Sequence, residues 1–232
     1  MLADIKLVLF DMAGTTVHDD HYVTNALCEA LALHGYSVPQ TAADDVMGIS
    51  KPVAIGMLLK RFYPELGTQA PISLIHEEFL KLMSRFYTSA PEIREINGTS
   101  AVFRLLKEQG IKVGIDTGFS RDITNIIIDR LGWQEQGLLD VTVASDEVAQ
   151  GRPSPDMVFR AMDLVGITDV KTVMKVGDTP VDIMEGINAG CGAVVGVLSG
   201  VGTREELGRY DGVVLVASIR DVLGLITENA PA

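Results

Sequence analysis

Leu7-Val8-Leu9-Phe10-Asp11-Met12-Ala13-Gly14-Thr15-Thr16 decides the fold of this 232-residue chain. Four uninterrupted apolar residues suit a strand buried on both faces, and a carboxylate opening into a glycine turn marks that strand's C-terminal end. Open α/β sheets place their chemistry along this edge. Asp11 is therefore the first candidate functional residue, and the alanine two positions later restricts the chemistry available beside it.

Working outward, short β-rich runs recur at 111–115, Val141–Ala144, 172–176, Ala193–Val197 and 213–216. Helical patterns lie between most of them, at 120–131, 155–165 and Pro180–Ala189, two of which begin at a proline suited to a first turn. The alternation predicts an α/β fold with a doubly wound parallel sheet and crossover helices. Residues 19–91 break the pattern. Ile72, Ile75, Phe79, Leu82, Met83 and Phe86 recur at helical spacing there, leaving Glu77, Glu78, Lys81 and Arg85 for an outer face. The expected organisation is a core of residues 1–18 and 92–232 carrying a small all-helical cap, 19–91, hinged at 14–20 and 90–98. Residues 228–232 read as a frayed tail.

Composition narrows the function classes. A net charge of -12 opposes binding to nucleic acid or anionic lipid. No apolar run approaches the roughly 18 residues that span a bilayer, and the N-terminus lacks a signal-peptide pattern. The expected location is the cytoplasm. Cys28 and Cys191 have no partners at metal-ligand spacing and read as small buried hydrophobes.

Four elements carry chemistry, each at an expected strand end: Asp11, Thr117-Gly118, Gly151-Arg152-Pro153 and Gly177-Asp178-Thr179-Pro180-Val181-Asp182. A parallel sheet brings such ends to one edge. Asp11 suits nucleophilic attack on phosphorus. Thr117 offers a hydroxyl, beside the Gly118 amide, to a phosphoryl oxygen. Arg152 offers a planar fork to an anion. Asp178 and Asp182 would repel each other and Asp11 unless a hard cation sat among them, and Mg²⁺ fits oxygen ligands. Singly, each element also reads as ordinary turn or cap chemistry. Together, in order, they point to phosphoryl transfer.

On these motifs the chain resembles hydrolases of the haloacid dehalogenase superfamily over nearly its whole length. Within it the likeness is to the phosphonatase branch, through Asp-x-Ala-Gly-Thr at Asp11, Ala13 and Thr15, an arginine at Arg152 where relatives carry lysine, and Asp178 and Asp182. The resemblance implies metal ligation by Asp11, the Ala13 carbonyl, Asp178 and Asp182, with Thr15, Gly118, Met47 and His21 about the substrate. It also implies that Ala13 replaces the acid that protonates a leaving alkoxide in ordinary phosphatases of the superfamily, a task a methyl group cannot perform. A carbon leaving group stabilised as an enamine needs no such acid, but it needs a carbonyl substrate and a lysine.

Lys51, in Met47-Gly48-Ile49-Ser50-Lys51-Pro52, resembles the Schiff-base lysine segment of that branch. Pro52 opens a helix there, and the helix N-terminus together with burial lowers an amine's pKa. The chain departs from the branch at Ala54, where a histidine is expected, at Met12, where a tryptophan is expected, and at His21, which stands near a cysteine position. The expected activity is carbon–phosphorus cleavage of a carbonyl phosphonate. Phosphate-monoester hydrolysis, dehalogenation and non-catalytic binding are the rivals. The expected partners are a small phosphonate or phosphate and a second copy of the chain, as a homodimer.

Overall fold

The computed structural model describes residues 4–227. The tail expected at 228–232 lies outside them. Six strands form one sheet: β1 (Leu7–Phe10), β2 (Lys112–Thr117), β3 (Val141–Ala144), β4 (Val173–Gly177), β5 (Ala193–Val197) and β6 (Val214–Val216). Their order is β3-β2-β1-β4-β5-β6, and every pairing is parallel. This is a doubly wound α/β sheet, with its topological switch at β1, where the ligand crevice of such sheets opens.

The helices are α1 (Tyr22–Leu33), α2 (Gln40–Asp44), α3 (Lys51–Phe62), α4 (Ile72–Ser89), α5 (Thr99–Glu108), α6 (Arg121–Leu131), α7 (Asp156–Val165), α8 (Pro180–Ala189), α9 (Arg204–Gly208) and α10 (Val222–Thr227). Alternate residues of β1 feed two layers. Val8 and Phe10 join the larger apolar cluster, whereas Leu7 and Leu9 pack with Val143, Met157 and Val158 on the other face. Phe103 of α5 bridges Phe10 and Trp133, with ring centroids 5.2 and 5.3 Å away. Phe10 is level with Ile115 of β2 and Val176 of β4, so Asp11, Asp116 and Gly177 stand at one height at the C-terminal edge.

Between β1 and α5 the described chain is helical. α4 is amphipathic as the spacing predicts, burying Ile75, Phe79 and Met83 and extending the stripe to Tyr87. It packs against α1 and α3 and also against α6 of the sheet layer. The two chain segments that connect this insertion to the sheet lie side by side. Val17 bridges Glu95, the Ile96 amide donates to the Thr16 carbonyl at 2.9 Å, and the His18 amide donates to the Arg94 carbonyl at 3.1 Å.

The expected elements form with shifted ends. Strands β2 and β4 run one or two residues further than their apolar runs, because parallel pairing continues through Thr117 and Gly177. Pro155 caps α7 from outside it, whereas Pro180 occupies the first turn of α8. Cys28 and Cys191 are half-buried rather than buried, packed at the margins of apolar clusters with free thiols. No helix among the described residues is long and apolar enough to cross a membrane.

Candidate active site

Asp11 leaves β1 directly into the turn that Gly14 allows. Gly14 has φ +85°, and a Cβ there would lie 2.5 Å from Asp178 Oδ2, so only glycine fits both the backbone and the carboxylate beside it. The turn aims the Thr15 hydroxyl at Asp178 Oδ1, 2.9 Å away, and the Val201 amide donates to Asp178 Oδ2 at 3.0 Å. Asp182 sits in the first turn of α8, where its Oδ2 accepts from the Thr179 amide at 3.1 Å and hydroxyl at 2.5 Å in a capping box. Oxygens of Asp11, Asp178 and Asp182 lie within 4.8 Å of one another, and all three residues are buried.

Such crowding disfavours ionisation. Burial, reinforced by Asp182, pushes Asp11 up to about 6 against the pull of Arg152 and Lys175. Burial, Asp11 and Asp182 hold Asp178 well above the usual carboxylate range. For Asp182 the adjacent Arg152 and Lys175 outweigh burial and keep it below that range.

Beneath these carboxylates lies an ionic floor. Arg152 Nη2 donates to Asp11 Oδ1 at 2.5 Å and to the Asp116 carbonyl at 2.8 Å, and Nη1 donates to Asp182 Oδ1 at 2.6 Å. Its Nε lies 3.4 Å from Glu185 Oε2. The expected fork binds carboxylates: the Arg152 side chain is fully buried and holds Asp11 from below. Sequence reasoning missed the other members. Lys175, inside β4, donates to Asp116 Oδ1 and lies 2.9 Å from Glu185 Oε2 and 3.4 Å from Asp182 Oδ1. A lysine in the middle of a strand buried on both faces demands a carboxylate, and that was the signal available.

Above Asp11 is a small pocket of about 30 Å³, lined by Asp11, Ala13, Asp19, Met47, Lys51, Thr117, Gly118 and Asp178 among others. Thr117 and Gly118 thus stand where the sequence places them, with Thr117 Oγ1 accepting from the Phe119 amide at 3.2 Å. Gly118 meets the insertion closely, since a Cβ on it would lie 2.9 Å from the Gly48 carbonyl oxygen. The Ala13 methyl puts no acid in this wall.

Lys51 is the first residue of α3, with Pro52 second and Ser50 as cap. Its side chain is buried, its Nζ donates to the Ile49 carbonyl at 3.4 Å, and it stands 5.8 Å from the Phe79 ring centroid. Burial pushes the amine down to about 8, opposed by Asp19 and Asp11. Asp19, also missed from sequence, accepts from the Val23 amide at 3.2 Å, and burial raises its pKa while Lys51 opposes the shift. His21, expected near the substrate, lies outside the lining of this pocket; its side chain is 55% exposed and 3.7 Å from Asp44.

A family model described as haloacid dehalogenase-like hydrolase matches residues 5–190. The chain belongs to this hydrolase family. It is 31% identical to phosphonoacetaldehyde hydrolase of Bacillus cereus, over 97% of this chain and 89% of that one. Among solved structures, a phosphonoacetaldehyde hydrolase-like protein from Oleispira antarctica superimposes with a TM-score of 0.84 at 25% identity, covering 98% of this chain and 93% of that one. A structure from Haemophilus somnus, described as a predicted phosphoglycolate phosphatase, has a TM-score of 0.79 at 19% identity, covering 97% and 99%, and shares the fold.

Proposed function

We propose that this hydrolase cleaves the carbon–phosphorus bond of a carbonyl phosphonate, phosphonoacetaldehyde or a close analogue. The observation that carries the reading is the buried Lys51 amine in the same small pocket as Asp11, with a methyl group at Ala13 in place of an acid. Lys51 Nζ condenses with the carbonyl and releases water. Asp11 then bonds to phosphorus as the carbon–phosphorus bond breaks, and its electron pair moves onto the α-carbon to give an enamine. That carbon takes a proton, one water releases the carbonyl product from Lys51, and another cleaves the aspartyl phosphate to free phosphate. Thr117 and Gly118 bind the phosphonyl oxygens, Arg152 positions Asp11, and the Asp19 carboxylate offsets the iminium charge on Lys51.

The crowded Asp11, Asp178 and Asp182 fit a hard divalent cation, which we take to be Mg²⁺, with the Ala13 carbonyl as a further ligand. When bound, it neutralises charge on the phosphonyl group. We also assign residues 19–91 as a cap domain on a core of 1–18 and 92–232, closing as a lid to exclude water from the imine. The setting we assign is cytoplasmic, as a homodimer.

Borohydride trapping tests the reading. With phosphonoacetaldehyde present, reduction should inactivate the enzyme irreversibly and leave the reduced two-carbon adduct on Lys51. An unlabelled, fully active protein that hydrolyses phosphate monoesters would replace this reading with a phosphatase.

A further inference from the structure

Lys51 lines two cavities. The second, of about 220 Å³, shares Lys51, Gly118 and Phe119 with the smaller pocket but is not lined by Asp11. One water needs about 10–15 Å³ by this measure. The 30 Å³ beside Asp11 is thus close-fitting, while the larger space holds several non-hydrogen atoms. Phosphonoacetaldehyde has only a hydrogen to direct into it. The imine carbon on Lys51 is trigonal, with two substituents diverging in one plane. When its phosphonomethyl arm points to Asp11, its other substituent points away from that pocket.

The walls describe that substituent. Phe79, Leu80 and Phe119 make one side apolar. Ser120 Oγ is buried and has no hydrogen-bond partner, a condition that buried hydroxyls rarely tolerate. His76 of α4 contributes an imidazole that burial, then Lys51, holds toward its neutral form, able to donate and accept. At the rim stand Asp122 and Asp146, both exposed, and neither favours an anion.

Resting on the carbon–phosphorus reading above, we propose that this second cavity binds the carbonyl substituent of a β-ketophosphonate, a small uncharged chain bearing a hydroxyl, and so extends the substrate class beyond the aldehyde. The chemistry is unchanged: the ketone condenses with Lys51 Nζ, the carbon–phosphorus bond breaks toward Asp11, and the products are a methyl ketone and phosphate.

Phosphate release should be compared for phosphonoacetaldehyde, (3-hydroxy-2-oxopropyl)phosphonate and 3-phosphonopyruvate, which place a hydrogen, a hydroxymethyl and a carboxylate in the cavity. The hydroxymethyl ketone should exceed the carboxylate ketone in kcat/KM by at least about 100-fold, as expected where a site rejects a misplaced charge. Leu80→Trp, which fills the cavity, should lower kcat/KM for the hydroxymethyl ketone at least about 10-fold while leaving the aldehyde within about 2-fold. Ser120→Ala should lower it about 3- to 10-fold with the same selectivity, the loss of one hydrogen bond. Equal losses on aldehyde and ketone in both variants would make the cavity a passage and overturn the assignment. So would a wild type that cleaves the aldehyde but not the hydroxymethyl ketone. If none of the three phosphonates releases phosphate and borohydride labels nothing, the carbon–phosphorus reading itself falls, and this assignment with it.

Discussion

Two carboxylate triads share Asp182, and their surroundings are opposite. Asp116, Asp182 and Glu185 form the lower one, and Lys175 and Arg152 lie among them. Asp11, Asp178 and Asp182 form the upper one, where Arg152 reaches Asp11 but Asp178 receives only a hydroxyl and an amide. Each member of the lower triad lies beside a cation of the chain, whereas in the upper one Asp178 has none among the described residues. This difference, rather than the number of acids, marks which triad calls for an external cation.

The comparison breaks most sharply at Asp11. Asp11→Asn preserves shape and removes the carboxylate proposed to attack phosphorus, so turnover should fall at least about 1,000-fold with the circular dichroism spectrum unchanged. In the lower triad the effect is on stability. Lys175→Met leaves buried carboxylates without their cation, and urea unfolding should show a loss of about 3–5 kcal/mol. Adding Glu185→Gln should restore part of it, whereas a purely steric role for Lys175 predicts no recovery. Lys51 gives a pH signature. Its amine must be neutral to attack a carbonyl, and burial brings its pKa to about 8, so kcat/KM should rise with pH and level off above about 8. Lys51→Arg should abolish this limb along with cleavage. The smallest effect concerns the cation. Mg²⁺ at 100 times its dissociation constant should stabilise the folded protein by about 2.7 kcal/mol in thermal or urea unfolding. Asp178→Asn should remove that gain and stabilise the metal-free protein, because it deletes one of the crowded charges. An Mg²⁺ response unchanged in Asp178→Asn would place the cation elsewhere.

The upper triad was legible in the sequence because Asp11 and Asp178 stand at the ends of apolar strands that parallel pairing takes to one edge, and Asp182 lies in the helical turn just beyond Asp178. The lower one was not, although Lys175 sits among Val173, Met174 and Val176 in a run that predicts burial. Its partners Asp116 and Glu185 come from β2 and α8, and no local pattern links them to it. Arg152 was found, but its partners were not, for the same reason: a fork beside a proline turn reads alike whether it faces solvent or is enclosed by four acidic residues. Lys51 was picked out by the resemblance of its segment to the phosphonatase branch, and Pro52 marked the helix start on which it stands. The second cavity was not legible, since its lining joins His76 and Phe79 of α4 to Ser120 and Ser145 on the sheet side.

The paired segments at Thr16–His18 and Arg94–Ile96 make the helical insertion a loop gripped at its base. With its ends already held together, a change in loop length alters closure entropy slowly, about 0.6 kcal/mol per doubling. Away from the contacts of α4 with α6 and of Gly48 with Gly118, segments between residues 19 and 91 can therefore be lengthened or trimmed with little strain transmitted to β1. What such a change would alter is the wall that Met47, Lys51 and His76 give the two cavities, which makes the insertion the adjustable part and leaves Asp11 and its ionic floor on the sheet unchanged.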